Sequence, residues 1–310
     1  MARILPLNRK SVTSRSLITT IVLGVVGVML IAGLVMAIML ASREGGLPGS
    51  GRIAVLEING VIDDDREVLE QLREFRDDAS VRGLLVAINS PGGSVGPSQS
   101  IYSAIRRMRD EEEIPVIATI GSVGASGGYY VALGADSIYA LPGSITGSIG
   151  VIMELPQVSG LMEKVGVDMR VVKSAENKDV GSPFREMTEE DRAILSAMVQ
   201  DVYTQFFNVV VAERDLTAAQ VRPLADGRIV SGNQALESGL VDRVGNFDDA
   251  LAAVGRMSGL GREPNFFFPE EDDRSLLELL VGRESSRAAA DLTRSLRSTA
   301  APQLKYVIPF

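Results

Sequence analysis

One short segment, GSVGASGGYY (121–130), has the composition of a turn that could present a nucleophile. Ser126 follows an apolar run and lies among glycines and an alanine, whose small side chains let another backbone approach closely. A predicted helix begins just after it, and the first N–H groups of a helix favour negative charge near the serine. A common serine N-cap has the same local sequence. The segment therefore predicts either a nucleophile or a cap.

A second turn, INSPGGSV (88–95), also follows a predicted strand. Pro91 stiffens it, while Gly92 and Gly93 leave their backbone N–H groups uncovered. Two such groups aimed at one point form an oxyanion hole, although a plain strand-to-helix turn would look similar. Ligands collect at the carboxyl ends of strands in α/β sheets. Because a nucleophile and oxyanion donors are needed together, the two turns jointly favour acyl transfer.

The general base must be an unusual one, because the chain contains no histidine and no cysteine. These absences exclude a Ser-His-Asp triad and a Cys-His dyad. Lysine remains, since desolvation can lower the pKa of a buried lysine until a neutral amine exists near neutral pH. Of the five lysines, Lys178 lies in a loop rich in turn residues and is the first candidate. Lys173, at the end of a predicted strand, is the second, and the hydroxyls of Thr146 and Ser148 could orient the amine.

Composition restricts the remaining classes of function. The net charge of −9, with dispersed charges, argues against a nucleic-acid partner. The lack of cysteine and histidine argues against a zinc site. We therefore expect no nucleic-acid partner, no metal and no cofactor.

The N-terminal region has the pattern of a membrane anchor. Residues 17–41 are 25 consecutive uncharged residues, and a helix of about 37 Å would cross a bilayer with some tilt. Residues 1–16 carry basic residues and no acid, which predicts a cytoplasmic N-terminus and a catalytic domain on the other side of the inner membrane. A cleaved signal peptide is the alternative, but the apolar run is long and no clear cleavage site follows it.

The rest of the chain predicts an α/β domain with a flexible linker before it and an extension after it. Residues 42–51 are a linker rich in glycine, serine and proline, and residues 52–258 alternate apolar strands with helices, which is typical of a parallel sheet. The strands are predicted at 52–59, 84–88, 115–120, 137–141, 150–154 and 168–173. The long helix 188–212 is predicted to begin at Thr188.

The C-terminal extension, residues 259–310, has a weaker pattern. Residues 275–297 could form an amphipathic helix. The final residues, QLKYVIPF (303–310), are apolar and would be unfavourable as a solvated tail. We interpret this extension as a source of oligomer or groove contacts.

From 52 to 255 the chain resembles the SppA signal peptide peptidases, in the short form with one catalytic domain per chain. The resemblance is carried by INSPGG, GASGGYY, ITGSIGVI, KSAENKDVGSPFREMT and ADGRIVSGNQALESGLVDRVG, in the family's order and spacing. It implies a ClpP/crotonase-like fold, a repeated β-β-α spiral with a parallel sheet, preceded here by one transmembrane helix. It also implies a membrane-anchored serine protease with peptide substrates, mainly signal peptides left in the membrane.

The resemblance also assigns roles by position. Ser126 corresponds to the nucleophile, Lys178 to the general base and Ser148 to the serine that orients the lysine, while Gly93 and Gly127 correspond to the oxyanion donors. The family forms homo-oligomeric rings in which the serine and the lysine of one dyad come from neighbouring subunits. Small apolar side chains beside the cleaved bond are the family's expectation.

Two other functions share this fold. A crotonase-type acyl-CoA enzyme would use the same oxyanion hole, but the export anchor and the Ser/Lys pair argue against it. A catalytically silent membrane scaffold would keep the fold without the chemistry.

Overall fold

A computed structural model describes residues 23–33, 36, 51–269 and 304–307. The chain divides into two compact units, 1–50 and 51–310. In the first unit, Leu23–Gly33 forms an apolar helix, α1, whose large side chains are mostly exposed. This helix lies inside the predicted anchor 17–41, and the remainder of that anchor lies outside the described residues except for Met36.

The second unit is built on one mixed sheet of ten strands, in which most pairings are parallel. The predicted α/β class with parallel strands is therefore confirmed. The strands are β1 (Arg52–Ile62), β2 (Val81–Ser94), β3 (Val116–Ala125), β4 (Ser137–Ala140), β5 (Ile145–Gly147), β6 (Ile152–Met153), β7 (Ile229–Ser231), β8 (Arg243–Val244), β9 (Phe266–Phe267) and β10 (Leu304–Val307).

The helices of this unit cover the sheet and close its crossovers. They are α2 (Arg66–Asp77), α3 (Val95–Asp110), α4 (Gly127–Ala132), α5 (Ser159–Val165), α6 (Glu189–Glu213), α7 (Ala218–Val221), α8 (Gly232–Glu237) and α9 (Phe247–Met257), together with a 3₁₀ turn at Glu176–Asp179.

Strand order places the two predicted turns side by side. The sheet runs β6-β10-β2-β3-β4-β8, with β1 beside β2 and β5 beside β3. Because β2 and β3 are parallel neighbours, their carboxyl ends, which carry the PGG turn and Ser126, meet at one edge. Both strands are longer than predicted, since the sheet pairing of β2 continues to Gly93, opposite Ile62 of β1.

Apolar residues from both faces of the sheet form the core. Leu56, Leu84, Ile105 and Ile120 are fully or almost fully buried in its larger cluster, and α9 covers a second cluster on the opposite face. The continuous apolar strands seen in the sequence are thus strands buried on both faces.

Helix α6 begins as predicted. The Thr188 side chain accepts the N–H of Asp191, and the Asp191 carboxylate accepts the N–H of Thr188, which completes a capping box. Among the described residues α6 is the one helix long and apolar enough to cross a membrane. Its later part contributes Phe206 and Val210 to the core, so in this structure it is a helix of the folded domain.

One predicted strand is absent from the described residues. Residues 168–173 are irregular and exposed, and Val172 is fully accessible to solvent. Residues 168–173 pair with no other strand among the described residues, and β6, the nearest strand in the sequence, pairs on one side with β10. The helix predicted at 275–297 lies outside the described residues.

Candidate active site

Ser126 occupies a sharp turn between β3 and α4. Its backbone has φ 53° and ψ −115°, a combination that residues other than glycine rarely adopt. The turn is fixed on both sides, because the Ser126 N–H donates to the Gly147 carbonyl (2.8 Å) and the Ser126 carbonyl accepts the N–H of Tyr130 (2.8 Å). Such strain costs on the order of 1–3 kcal/mol and is typical of functional turns.

The Ser126 side chain is not used as a helix cap. Its hydroxyl makes no capping hydrogen bond and has no hydrogen-bond partner among the described residues, although Ser126 is 1% exposed. Of the two interpretations of this serine, the geometry argues against the cap, since a capping hydroxyl would accept a hydrogen bond from the first turn of α4.

Close packing explains the glycines on both sides of Ser126. A Cβ at Gly124 would lie 2.7 Å from the Ile120 side chain, and one at Gly128 would lie 2.7 Å from the Ser90 carbonyl oxygen. The segment therefore reads G-x-S-x-G, the pattern of a serine on a tight strand-to-helix turn. Of the patterns in the sequence, this G-x-S-x-G spacing indicates the sharp turn at Ser126 most directly.

The PGG turn meets the serine turn at the backbone level. Gly92 has φ +102°, and a Cβ there would lie 2.7 Å from the Gly127 nitrogen. A Cβ at Gly127 would lie 3.1 Å from the Gly93 nitrogen, and one at Gly93 would lie 2.1 Å from the Ile62 carbonyl oxygen. The structure thus brings the nitrogens of Gly93 and Gly127 close together, next to Ser126.

Ser148 lies on the other side of Ser126, directly after β5. It is 6% exposed, has φ 52°, and its N–H donates to the Arg228 carbonyl (2.8 Å). The Thr146 hydroxyl donates to the Gly124 carbonyl (2.7 Å), which ties β5 to the turn of Ser126. The Thr146 hydrogen bond therefore stabilises the turn of Ser126. Ser148 lies next to that turn.

Lys178 is not brought to Ser126 within one chain. It lies in the 3₁₀ turn Glu176–Asp179 and is exposed, and its amine has no hydrogen bond or ion pair within the described part of the chain. Lys173, the second candidate base, is in a different position. Its amine donates hydrogen bonds to the Glu176 carbonyl (2.7 Å) and to the Asp179 carboxylate (2.8 Å). These two bonds stabilise the loop.

An ion cluster that sequence reasoning did not identify fixes the loop that carries Lys178. The Arg185 guanidinium pairs with Asp179 (3.0 Å) and with Asp191, at the beginning of α6, and Lys173 also pairs with Asp179. The hydrogen bonds from Arg185 hold the pKa of Asp179 well below its usual range, with help from Lys173. Hydrogen bonds from Arg185 and, to a smaller extent, from the Thr188 N–H hold the pKa of Asp191 well below its usual range. In the sequence, the alternation of basic and acidic residues in this loop is the pattern that could have indicated the ion cluster.

A second group that the sequence did not identify is an aromatic cluster beside the glycine turns, formed by Tyr102, Tyr130, Phe206 and Tyr306. Tyr306 belongs to β10, which pairs with Gly92 and Gly93. In the described ranges no group of three or more acidic side chains could hold a metal ion. The chemistry available at this edge within one chain is that of a hydroxyl and two backbone N–H groups.

Comparison with known proteins identifies a family. The model of peptidase family S49 matches residues 108–260. A "Putative protease" of Synechocystis sp. is 41% identical over 252 residues, covering 79% of this chain and 90% of that protein. A "Putative signal peptide peptidase SppA" of Enterococcus faecium is 39% identical over 66% of this chain and 62% of its own length. "Protease 4" of Salmonella typhi is 28% identical over 80% of this chain and 41% of its own length.

Among solved structures, a ClpP1 mutant from Listeria monocytogenes superposes with a TM-score of 0.42 and 18% identity, over 64% of this chain and 94% of that one.

Proposed function

Because this chain belongs to peptidase family S49 and is a serine protease, we propose that it is a membrane-bound endopeptidase with a Ser126–Lys178 dyad. The observation that supports this proposal most strongly is the strained, buried Ser126 beside the nitrogens of Gly93 and Gly127. A nucleophile and two backbone donors at one sheet edge are the parts that acyl transfer requires.

The proposed reaction is acyl transfer in two steps. A neutral Lys178 amine takes the proton of the Ser126 hydroxyl while Oγ attacks the peptide carbonyl, and the N–H groups of Gly93 and Gly127 stabilise the oxyanion. The lysine then gives its proton to the leaving amine as the C–N bond breaks. A water activated by the same lysine hydrolyses the acyl-enzyme and restores the Ser126 hydroxyl.

In this proposal Lys178 acts on the serine of a neighbouring copy. Two features support a dyad shared between copies. Ser126 has no hydrogen bond to a basic side chain among the described residues of its own chain. Lys178 is exposed and has no partner among those residues, and it lies on a loop that the Arg185 ion cluster holds in place. A homo-oligomeric ring would bury this loop against the next subunit, and Ser148 would orient the arriving amine.

The proposed location is the inner membrane, with the catalytic domain on the extracytoplasmic side. The exposed apolar side chains of α1, such as Leu23 (67%) and Met29 (71%), support this, because lipid would cover them. The basic residues of 1–16 support the orientation. Peptides that remain in the bilayer, mainly signal peptides, would then be the nearest substrates.

The test is peptide-ester cleavage by purified full-length protein in detergent. Ser126→Ala and Lys178→Ala should each reduce the rate by at least about a thousandfold without changing the assembly's size. Lys164→Ala, on exposed helix α5, is the matched control and should keep full activity. A Lys178→Ala protein with wild-type activity would disprove the dyad.

A fluorophosphonate probe separates the proposal from its alternatives. Labelling of Ser126, lost in Ser126→Ala, would argue against a silent scaffold. Stabilisation by an acyl-CoA with no peptide cleavage would instead support a crotonase-type enzyme.

A further inference from the structure

A cavity between α9 and the strands β4 and β8 lies on the face of the sheet opposite the serine turn. Its volume is about 630 Å³. Tyr139 of β4, which lines it, belongs to the smaller core cluster, covered by α9. Tyr129 and Tyr130 of α4, which follow Ser126 in the chain, belong to the larger cluster on the other face. The cavity therefore has no part in the proposed acyl transfer.

Three arginines line this cavity, and none of them makes an ion pair or a side-chain hydrogen bond within the described part of the chain. Arg243 lies on the edge strand β8, Arg256 lies in the last turn of α9, and Arg262 follows that helix. Other arginines of this unit are paired with carboxylates, as Arg185 and Arg214 are. Unpaired guanidiniums around one cavity leave their N–H donors available to a ligand, and their planar fork matches the oxygens of a phosphate.

Two hydroxyls add further donors to the cavity. Tyr139 is 6% exposed, and neither its hydroxyl nor that of Ser137, also on β4, has a hydrogen-bond partner among the described residues. In those residues no buried side-chain polar atom lacks a partner, so the Tyr139 hydroxyl must reach the surface of the cavity although its ring is packed under α9. Arg243 is the residue opposite Tyr139 in the parallel pairing of β8 with β4, so both side chains are on the same face. One bound anion can therefore accept hydrogen bonds from both.

The charges of the lining favour an anion. Three arginines and one carboxylate, that of Asp249, give the lining a net of two positive charges, in a chain whose net charge is −9. The Asp249 carboxylate already accepts the N–H of Asn246 (3.0 Å) in the capping box of α9. A cation would thus find one acidic ligand here that is already engaged, whereas an anion finds three guanidiniums.

The surroundings of the cavity bear on the source of the anion. Met257, which also lines the cavity, is 48% exposed, so the basic lining has an apolar rim. Gly51, where the chain enters this unit, is close to Leu260 just after α9, because a Cβ at Gly51 would lie 3.1 Å from the Leu260 side chain. A protein with the proposed membrane location meets phospholipid headgroups, which present phosphate esters beside apolar chains.

We propose that this cavity binds a phosphate ester, whose oxygens pair with the guanidiniums of Arg243, Arg256 and Arg262 and accept a hydrogen bond from the Tyr139 hydroxyl. The headgroup of an anionic phospholipid and a small soluble phosphate ester present the same chemical group. The site uses neither Ser126 nor Lys178, so it adds to the proposed function without depending on the dyad.

The test measures binding to the purified full-length protein in a neutral detergent, with one arm for each source of phosphate. In the lipid arm, native mass spectrometry compares the retention of phosphatidylglycerol and phosphatidylcholine. In the soluble arm, calorimetry measures the binding of glycerol 3-phosphate. Preference for phosphatidylglycerol by at least about tenfold, without binding of glycerol 3-phosphate, identifies a lipid headgroup as the ligand. Binding of glycerol 3-phosphate identifies a soluble ester.

Substitutions locate the binding. Arg243→Gln, Arg256→Gln and Arg262→Gln should each weaken it by about tenfold, because each removes a charge-assisted hydrogen bond. Tyr139→Phe removes only a hydroxyl without a partner and should weaken binding several-fold with an unchanged Tm. Arg73→Gln is the matched control and should bind like the wild type, because it removes an unpaired arginine from a different cavity, between α2 and α3.

Two outcomes would overturn the inference. One is a wild-type protein that binds glycerol 3-phosphate in neither detergent nor buffered lipid and retains both lipids equally, a result that needs no variant to fold. The other is equal binding by the wild type and by the three arginine variants, each shown to be folded by its thermal unfolding. Neither arm measures peptide cleavage, so failure of this site would leave the Ser126–Lys178 peptidase intact, and an inactive peptidase would leave this site intact.

Discussion

Replacing Ser126 by glycine should stabilise the protein while it abolishes activity. Ser126 is held at φ 53° and ψ −115°, where a side chain is unfavourable and glycine is not. Its hydroxyl has no partner among the described residues, so little bonding energy is lost when it is removed. The strain is therefore the main energy that the substitution changes.

The size of this effect can be estimated. Relief of the backbone strain contributes about 1–3 kcal/mol. The greater freedom of glycine in the unfolded chain costs about 0.4–1 kcal/mol. The net gain is roughly 0.5–2 kcal/mol, which corresponds to an increase of about 1 to 8 °C in Tm for a domain of this size.

The assay is thermal and urea unfolding of Ser126→Gly beside Ser126→Ala. Alanine also lacks the hydroxyl but keeps the Cβ, so the difference in unfolding free energy between the two variants is the strain relieved minus the cost of the freer glycine in the unfolded chain. Ser100→Gly, inside helix α3, is the control and should be destabilised, because there the backbone is helical. A Ser126→Gly protein no more stable than Ser126→Ala would refute the claim that this turn stores strain.

Two further predictions concern the glycine turn and the ion cluster. Gly93→Ala should abolish peptide cleavage, since its Cβ would lie 2.1 Å from the Ile62 carbonyl oxygen, whereas Gly96→Ala, with open space around it, should be harmless in the same ester assay. Arg185 holds the pKa of Asp179 and of Asp191 below the ordinary value of 3.8. A carboxyl whose pKa is lowered on folding stabilises the fold while it is ionised, so this contribution is complete above about pH 4 and is lost as the pH falls further. Tm should therefore stay constant between about pH 8 and 5 and decrease below about pH 4 in the wild-type protein, as thermal unfolding at each pH would show. A decrease in Tm between about pH 8 and 5 would contradict the role given to the cluster.

Local chemistry made much of the site predictable. A chain without histidine and cysteine leaves lysine as the candidate base, and turn composition favours Lys178. The structure now explains why Lys173 is the weaker candidate, because its amine is engaged by Asp179 and by the Glu176 carbonyl. The start of α6 at Thr188 was predictable for a similar reason, since a capping box is encoded within four residues.

Non-local pairing was not predictable in the same way. The apolar tail around Tyr306 indicated that the C-terminus needs a partner, but nothing in its own sequence specifies Gly93 as that partner. The same limit applies to 168–173, where β propensity predicted a strand, but these residues are irregular and pair with no strand among the described residues. In the proposed function, the relation between Ser126 and Lys178 is also beyond one chain's sequence, because it would depend on how copies assemble.

The most direct test of the central claim is the rate of peptide-ester cleavage by a co-expressed mixture of Ser126→Ala and Lys178→Ala chains. Each variant alone should be inactive. If the dyad is shared between neighbours, random assembly of equal amounts should place an intact serine beside an intact lysine at about one quarter of the sites, with activity to match. A mixture as inactive as its two components would contradict a dyad shared between subunits.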